Sequence, residues 1–298
     1  MARVFTYVVT SYVNPTQVIR LLGRLRADSP DSRLIVSHDR KMPSPALSAL
    51  EDVGAELVMT ATPVTWGDDS YLRSQLAVID YADLAATDWL TMLTGQDYPL
   101  RPLADYERSL VVSGADMALE EPEHIDPDID LLLHRYRTRA HRMPHWVDRH
   151  RIHQVVKHLP GLTLSREPRG LPPYLLRKRL RTPFSPGFRL RKGADQFALS
   201  GRASARLLAA PPHLLRYYSH TRIPSESYIH TVLRNDPTLV NLPGMIHFTR
   251  WGSSPHPEWL TVDDLDEMTS SDKWFARKFH EDDPVLDALD ERLAAAES

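Results

Sequence analysis

The sequence predicts an α/β fold built on a doubly wound, mostly parallel sheet, and three observations carry that prediction. Short apolar, β-compatible runs recur through the first hundred residues. Stretches with helical apolar spacing separate them, and turn residues close each unit. The fourth run, Trp89 to Leu93, is broken only by Thr91, as suits a strand covered on both faces.

Val4 to Thr10 reads as the first strand. Asn14 then reads as a helix cap with Pro15 at the first helical position, and Val18, Leu21, Leu22 and Leu25 form one apolar stripe. Arg33 to Ser37 is a second strand ending at His38-Asp39-Arg40-Lys41. A short helix, Ala46 to Asp52, leads to a third strand, Ala55 to Thr60. Val64-Thr65-Trp66-Gly67 follows, and Leu72, Leu76, Ile79 and Ala82 mark the next helix. After Trp89 to Leu93, Thr94-Gly95-Gln96-Asp97 breaks the run and Pro99 stops it. Ligands of open α/β sheets bind beyond the carboxyl ends of the strands, so Thr94 to Asp97 is expected to line a site. Regular structure is expected again from Lys192 to Ser200 as a strand and from Ala203 to Ala210 as a helix. A further helix opens at Ser225-Glu226, with Ser225 as its cap.

With 298 residues, 42% of them hydrophobic, the chain is long enough for one large α/β domain or two small ones, and we read one. We divide it into a βα half over 1–102, a basic insertion over 103–191 and a further half over 192–298. No apolar run is long enough to span a membrane, and MARVFTYVVTSY turns polar too early for a signal peptide. Cysteine is absent, which rules out disulfides and thiolate metal sites and fits a cytoplasmic protein.

Net charge is only −3, but its distribution is uneven. From His134 to Lys192 there are 16 Lys and Arg against two acids, Asp148 and Glu167, while the remainder holds 20 basic and 37 acidic residues. Such a stretch is a solvated face, a seat for an anionic ligand (diphosphate, acidic acceptor or lipid headgroup), or a nucleic-acid surface. Aromatic residues for base stacking are sparse there, so nucleic acid is not expected. The alternating Asp126, Asp128 and Asp130 lack the spacing and glycine of a calcium loop. His134, His141, His145, His150, His153 and His158 lie among arginines and complete no zinc motif. Pro160 to Pro186 reads as an excursion over the surface rather than a second core.

Several segments, in a consistent order, resemble the branching glycosyltransferases of family 14, which include core 2 N-acetylglucosaminyltransferases and peptide-O-xylosyltransferases. T-G-Q-D-Y-P-L is similar to the family's S/C-G-x-D-[YF]-P, I-V-S-H-D-R-K to I-H-x-D-x-K, and V-T-W-G-D-D-S to V-x-W-G-x-x-S. K-G-A-D-Q-F-A-L-S resembles K-G-S-x-W-x-x-L-S, I-P-S-E-S-Y-I-H-T resembles P-D-E-x-x-x-x-T, and W-F-A-R-K-F resembles F-F-A-R-K-F. The resemblance implies a GT-A-like fold and metal-independent, inverting transfer from a UDP-sugar to a hydroxyl acceptor. N-acetylglucosamine is the first expectation for the donor sugar and xylose the second.

By the same resemblance Asp39 contacts uracil, Thr94 lies against the uridine, Glu226 is the catalytic base and Lys278 binds the diphosphate. The arginine that partners this lysine in the family has no clear counterpart; Arg250 is the first candidate and Arg277 the second. Trp251 and the S-P-H-P turn at 254–257 are expected to cover the nucleotide. Asp97, Glu120 and Arg135 or Arg137 are expected on the acceptor side. The chemistry suits these types: attack on the anomeric carbon needs a carboxylate to take the hydroxyl proton, and the departing diphosphate needs positive charge. A helix N-terminus favours ionised Glu226, which keeps it ready at neutral pH but weakens it as a base, and burial acts the other way. No aspartate-x-aspartate closes the central strand, so neither a metal nor another cofactor is expected. The contrasting reading is a non-catalytic module that uses residues 134–192 to bind nucleic acid or a membrane surface.

Overall fold

The parallel core forms where the apolar runs place it. The protein is described from a computed structural model covering residues 3–120, 135–144, 149–165, 173–242, 246–252 and 256–297. Its first half runs β1 (Phe5–Ser11), α1 (Pro15–Asp28), β2 (Arg33–His38), α2 (Leu47–Asp52), β3 (Ala55–Met59), α3 (Ser70–Ala82) and β4 (Trp89–Thr94). A short strand β5 (Asp97–Pro99), helix α4 (Leu103–Val112) and strand β6 (Met117–Ala118) follow. The main sheet has the order β3-β2-β1-β4-β10-β6, where β10 is Phe197–Ser200. Strands β1 to β4 are parallel, and β10 runs antiparallel to both β4 and β6.

Alternation along the strands divides the interior into two layers. Tyr7, Val9, Leu34, Val36 and Leu93 pack on one face with Val18, Leu21, Leu22 and Leu25 of α1. Val8, Ile35, Leu90 and Met92 pack on the other with Leu72, Val78 and Ile79 of α3. Each such side chain contributes about 1.5–3 kcal/mol by leaving water. Register aligns Thr10 at the end of β1 with Ser37 and Thr94, so the three carboxyl ends open on one crevice. Among the described residues no helix is long and apolar enough to cross a membrane.

Several local expectations need correction. Asn14 precedes α1 without a side-chain cap, adopting the left-handed conformation (φ 52°) that asparagine tolerates. Lys192 to Gln196 do not extend β10; they form an irregular segment along the crevice. Ser225 is the first residue of its helix rather than the cap. Pro160 to Pro186 is not a plain surface excursion, since two strands fall within it, and residues 103–191 as a whole hold regular structure. They contribute α4 and β6 to the main body, then form a separate antiparallel sheet of β7 (Thr138–Arg142), β8 (Leu162–Leu164) and β9 (Tyr174–Lys178), with helix α5 (Arg149–Val156) between β7 and β8. Asp126, Asp128, Asp130, His134 and His145 lie outside the described residues.

The second half adds α6 (Gly201–Leu208), α7 (Pro212–Tyr218), α8 (Ser225–Leu233), β11 (His247–Thr249), α9 (Leu265–Ser270), β12 (Phe275–Arg277) and α10 (Pro284–Glu297). A small sheet, β11-β12-β5, joins its end to the central strand. Arg277 sits opposite Asp97 and Phe275 opposite Pro99, which brings F-A-R-K-F beside T-G-Q-D-Y-P.

Asp97 fastens this junction. It is fully buried, and its carboxylate accepts from Thr94 N–H at 2.8 Å, Thr94 Oγ1 at 2.6 Å and His247 Nε2 at 3.1 Å. Arg277 Nε stands 3.4 Å away. Burial alone would raise the acid's pKa, but His247, Arg277 and Thr94 together hold it below the ordinary range. Its place is therefore inside the scaffold and not on an acceptor. Replacing Asp97 with Ala should cost about 3–5 kcal/mol in urea unfolding, because Arg277 loses its buried counter-charge and Thr94 and His247 lose their hydrogen-bond acceptor. A cost below about 1 kcal/mol would mean that the cluster holds nothing together.

Candidate active site

The crevice is a cavity of about 400 Å³, in the size range of small-molecule sites. Its floor is the set of strand ends: Thr10 and Ser11, Ser37 and Asp39, Thr60, and Thr94 to Gln96. Trp66 to Asp68 and Tyr71 form one wall. Asp195, Ser225, Glu226 and Arg277 form the opposite one.

Asp39 is almost buried at the end of β2. Its Oδ1 accepts from the backbone N–H groups of Lys41 (3.2 Å) and Val64 (3.1 Å), and its Oδ2 lies 3.3 Å from the Lys41 ammonium. The aspartate thus ties the 60–66 loop to the sheet and still borders the cavity. Thr94 borders it too, held by Asp97 through both its N–H and its hydroxyl.

The opposite wall is latched to the first. Ile223 N–H donates to Gly67 O at 2.9 Å, and Tyr136 Oη donates to Ile223 O at 3.2 Å. Ile223 has φ 49°, a costly conformation for a β-branched residue, and these two bonds help to hold it there. Gly67 has φ 79°, and a Cβ on it would fall 2.0 Å from the Arg222 guanidinium, so only glycine fits. Glu226 is then presented from the first turn of α8.

Segment 192–195 lies beside Glu226. Gly193 N–H donates to Glu226 O at 2.9 Å, and His230 Nε2 donates to Ala194 O at 2.9 Å. Burial drives the His230 pKa down to about 4, so the ring is neutral, and its closeness leaves no room for a Cβ at Gly193. Lys192 Nζ stands 3.2 Å and Arg135 Nη1 3.8 Å from Glu226 Oε2. Glu120, half-buried, joins the group: burial, with the charge of Glu226, raises its pKa, opposed by Lys192 and the Ala194 N–H. Asp195, which sequence reasoning missed, adds a further carboxylate. Burial and the nearby charge of Glu226 push it up to about 7, against a Ser225 hydrogen bond and the charges of Arg277 and Lys192. Its position inside K-G-A-D-Q-F was the only signal available.

Glu226, Glu120 and Arg135 therefore come together, with Asp39 and Thr94 across the cavity. Four other candidates do not join them. Arg250 is ion-paired to Asp264 and Glu267, so the second-choice Arg277 is the arginine that lines the cavity. Lys278 rests its ammonium 4.3 Å from the centroid of the Trp259 ring, outside the cavity lining. Trp251 is exposed and pairs with Pro257, and neither borders the cavity; Ser254 and Pro255 lie outside the described residues. Arg137 is exposed and does not line the cavity. Among the described residues no three His, Asp or Glu side chains converge as a metal cage.

A family model for the core-2/I-branching enzymes matches residues 5–272. The chain belongs to this family. Among curated relatives, beta-glucuronosyltransferase GlcAT14B of Arabidopsis thaliana is 28% identical over 214 residues, 69% of this chain and 44% of that protein. Beta-glucuronosyltransferase GlcAT14A of the same plant is 41% identical over 87 residues, 28% of this chain and 20% of that protein. The chain thus spans less than half the length of these relatives. Among solved structures, 4-diphosphocytidyl-2C-methyl-D-erythritol synthase from Anaerococcus prevotii aligns over 90% of this chain and 95% of its own, at 8% identity and a TM-score of 0.38.

The raised pKa of Asp195 has a defined sign. Below the ordinary value of 3.8 both folded and unfolded states hold the proton. Between 3.8 and about 7 only the folded state does, so this group lowers stability as pH rises, and above about 7 the penalty is complete. Asp195→Asn should therefore raise Tm relative to wild type at about pH 8 and lose that advantage towards about pH 4. Scanning calorimetry across that range checks it, and an advantage that grows on acidification would contradict the assignment.

Proposed function

We propose that the protein is an inverting glycosyltransferase that moves a sugar from a UDP donor to a hydroxyl acceptor without a metal. The observation that carries this reading is the convergence of Glu226, Asp195 and Arg277 on one cavity at the carboxyl ends of a parallel sheet. Family membership supports the enzymatic reading over a pure binding module.

In this reading uracil lies between Asp39 and the Trp66 wall, with Thr94 near the ribose. The acceptor oxygen attacks the anomeric carbon as the bond to the diphosphate oxygen breaks, and the hydroxyl proton passes to the Glu226 carboxylate. Arg277 meets the charge that develops on the leaving UDP. Lys278 reaches the same phosphates by leaving the Trp259 ring, a contact worth about 0.5–1 kcal/mol at an exposed site. Lys192 and Arg135 orient Glu226, and Glu120 faces the acceptor.

N-acetylglucosamine remains the first donor and xylose the second. The names of the plant relatives add UDP-glucuronic acid to the comparison. We favour a neutral sugar because Lys192 and Arg135 both face the Glu226 carboxylate, so that a uronate would have to share them with it. We place the protein in the cytoplasm.

Glu226→Gln should reduce transfer by about 10²–10⁴-fold while UDP affinity stays near wild type. A variant that keeps most of its activity would remove Glu226 as the base. Lys278→Ala should weaken UDP binding in calorimetric titration by about 1.5–3 kcal/mol, as loss of a charge-assisted bond would. Unchanged affinity would leave Arg277 alone on the diphosphate.

A further inference from the structure

The small antiparallel sheet presents a surface that catalysis does not use. At one end of it three chain segments meet. Lys178 N–H donates to Gly161 O at 3.0 Å, Arg179 N–H to Arg137 O at 3.0 Å, and Leu162 N–H to Leu159 O at 3.3 Å. These bonds gather exposed Arg137, Lys157, His158, Lys178 and Arg181 around a turn and a strand end. The same end bears aliphatic side chains in water: Leu180 is 96% and Leu159 45% exposed, with Val155 at 62% one turn before. Along the sheet, exposed Arg139 and Arg177 stand directly opposite each other in register, a like-charge pair that costs stability. The described residues between 135 and 192 include no Asp or Glu to offset any of this.

Cations alone are a solvated face, and one exposed leucine is ordinary. Three exposed aliphatics beside basic side chains, with no acid among the described residues of 135–192, match the chemistry of an anionic bilayer surface, where basic side chains meet headgroups and aliphatic tips enter the acyl boundary. We propose that this end of the sheet docks the protein on membranes containing anionic lipid. Tyr174, four residues before Lys178 and so about 13 Å along the strand, lies under Arg222, whose guanidinium stands over Trp66 of the cavity wall. Docking would therefore hold the cavity close to the bilayer and favour acceptors presented there. The proposal stands independently of the donor and of the catalytic base.

The test is co-sedimentation of the full chain with phosphatidylcholine vesicles, with and without about a third phosphatidylglycerol, at physiological salt. Binding is expected only with the anionic lipid and should fall as salt rises. Lys178→Glu with Arg181→Glu should weaken it at least about tenfold. Leu159→Ser with Leu180→Ser should also weaken it, with charge unchanged. A melting temperature equal to wild type in both variants would show the fold intact. No sedimentation with anionic vesicles, equal binding by both variants, or preferential binding to duplex nucleic acid over vesicles would each overturn the proposal.

Discussion

The buried carboxylate of Asp97 is the constraint on which the site depends. An ionised group with no exposed surface is tolerated only when hydrogen bonds and opposite charge surround it. Here Thr94 supplies the hydrogen bonds from the end of the central strand, and His247 and Arg277 supply the rest from chain 150 and 180 residues further on. One carboxylate therefore fixes the small sheet against the parallel one. It also sets Arg277 at the rim of the cavity, where the cation faces Asp97 on one side and open space on the other.

The same economy of charge continues inside the cavity. Glu226 and Asp195 line it with Arg277, Glu120, Lys192 and Arg135 stand beside Glu226, and the cations moderate the repulsion among the acids. Mutual repulsion and burial favour the protonated form of at least one acid at neutral pH, here Asp195. An array already balanced this way can take up a proton at Glu226 without stranding a buried charge. Arg277 holds positive charge beside the carboxylates, where a diphosphate would otherwise be repelled.

Much of the architecture was legible in the sequence because local and global preferences agree. The four parallel strands have largely apolar runs, and α1 and α3 have clean stripes. What failed were features set by distant partners. Lys192 to Gln196 have strand-like flanks, but His230 and Glu226 hold the segment in an irregular path that no local pattern encodes. Asp97 read as a site residue because its motif sits beyond the central strand; its burial depends on β11 and β12, remote in the chain. The choice between Arg250 and Arg277 turned on Asp264 and Glu267, which occupy the former. Glu226 was readable because its motif is local and opens a helix, whereas Asp195 lay inside a quoted segment without a signal of its own.

The central claim is that the crevice is a UDP site whose positive charge comes from the protein. Its most direct test is a thermal shift with UDP in EDTA, with ADP and GDP as controls. At about a hundred times its dissociation constant a ligand adds about 2.7 kcal/mol, a readable rise in Tm. The account predicts a rise selective for UDP and indifferent to the chelator. A rise that appears only with added divalent metal, or one equal for the three nucleotides, would contradict it.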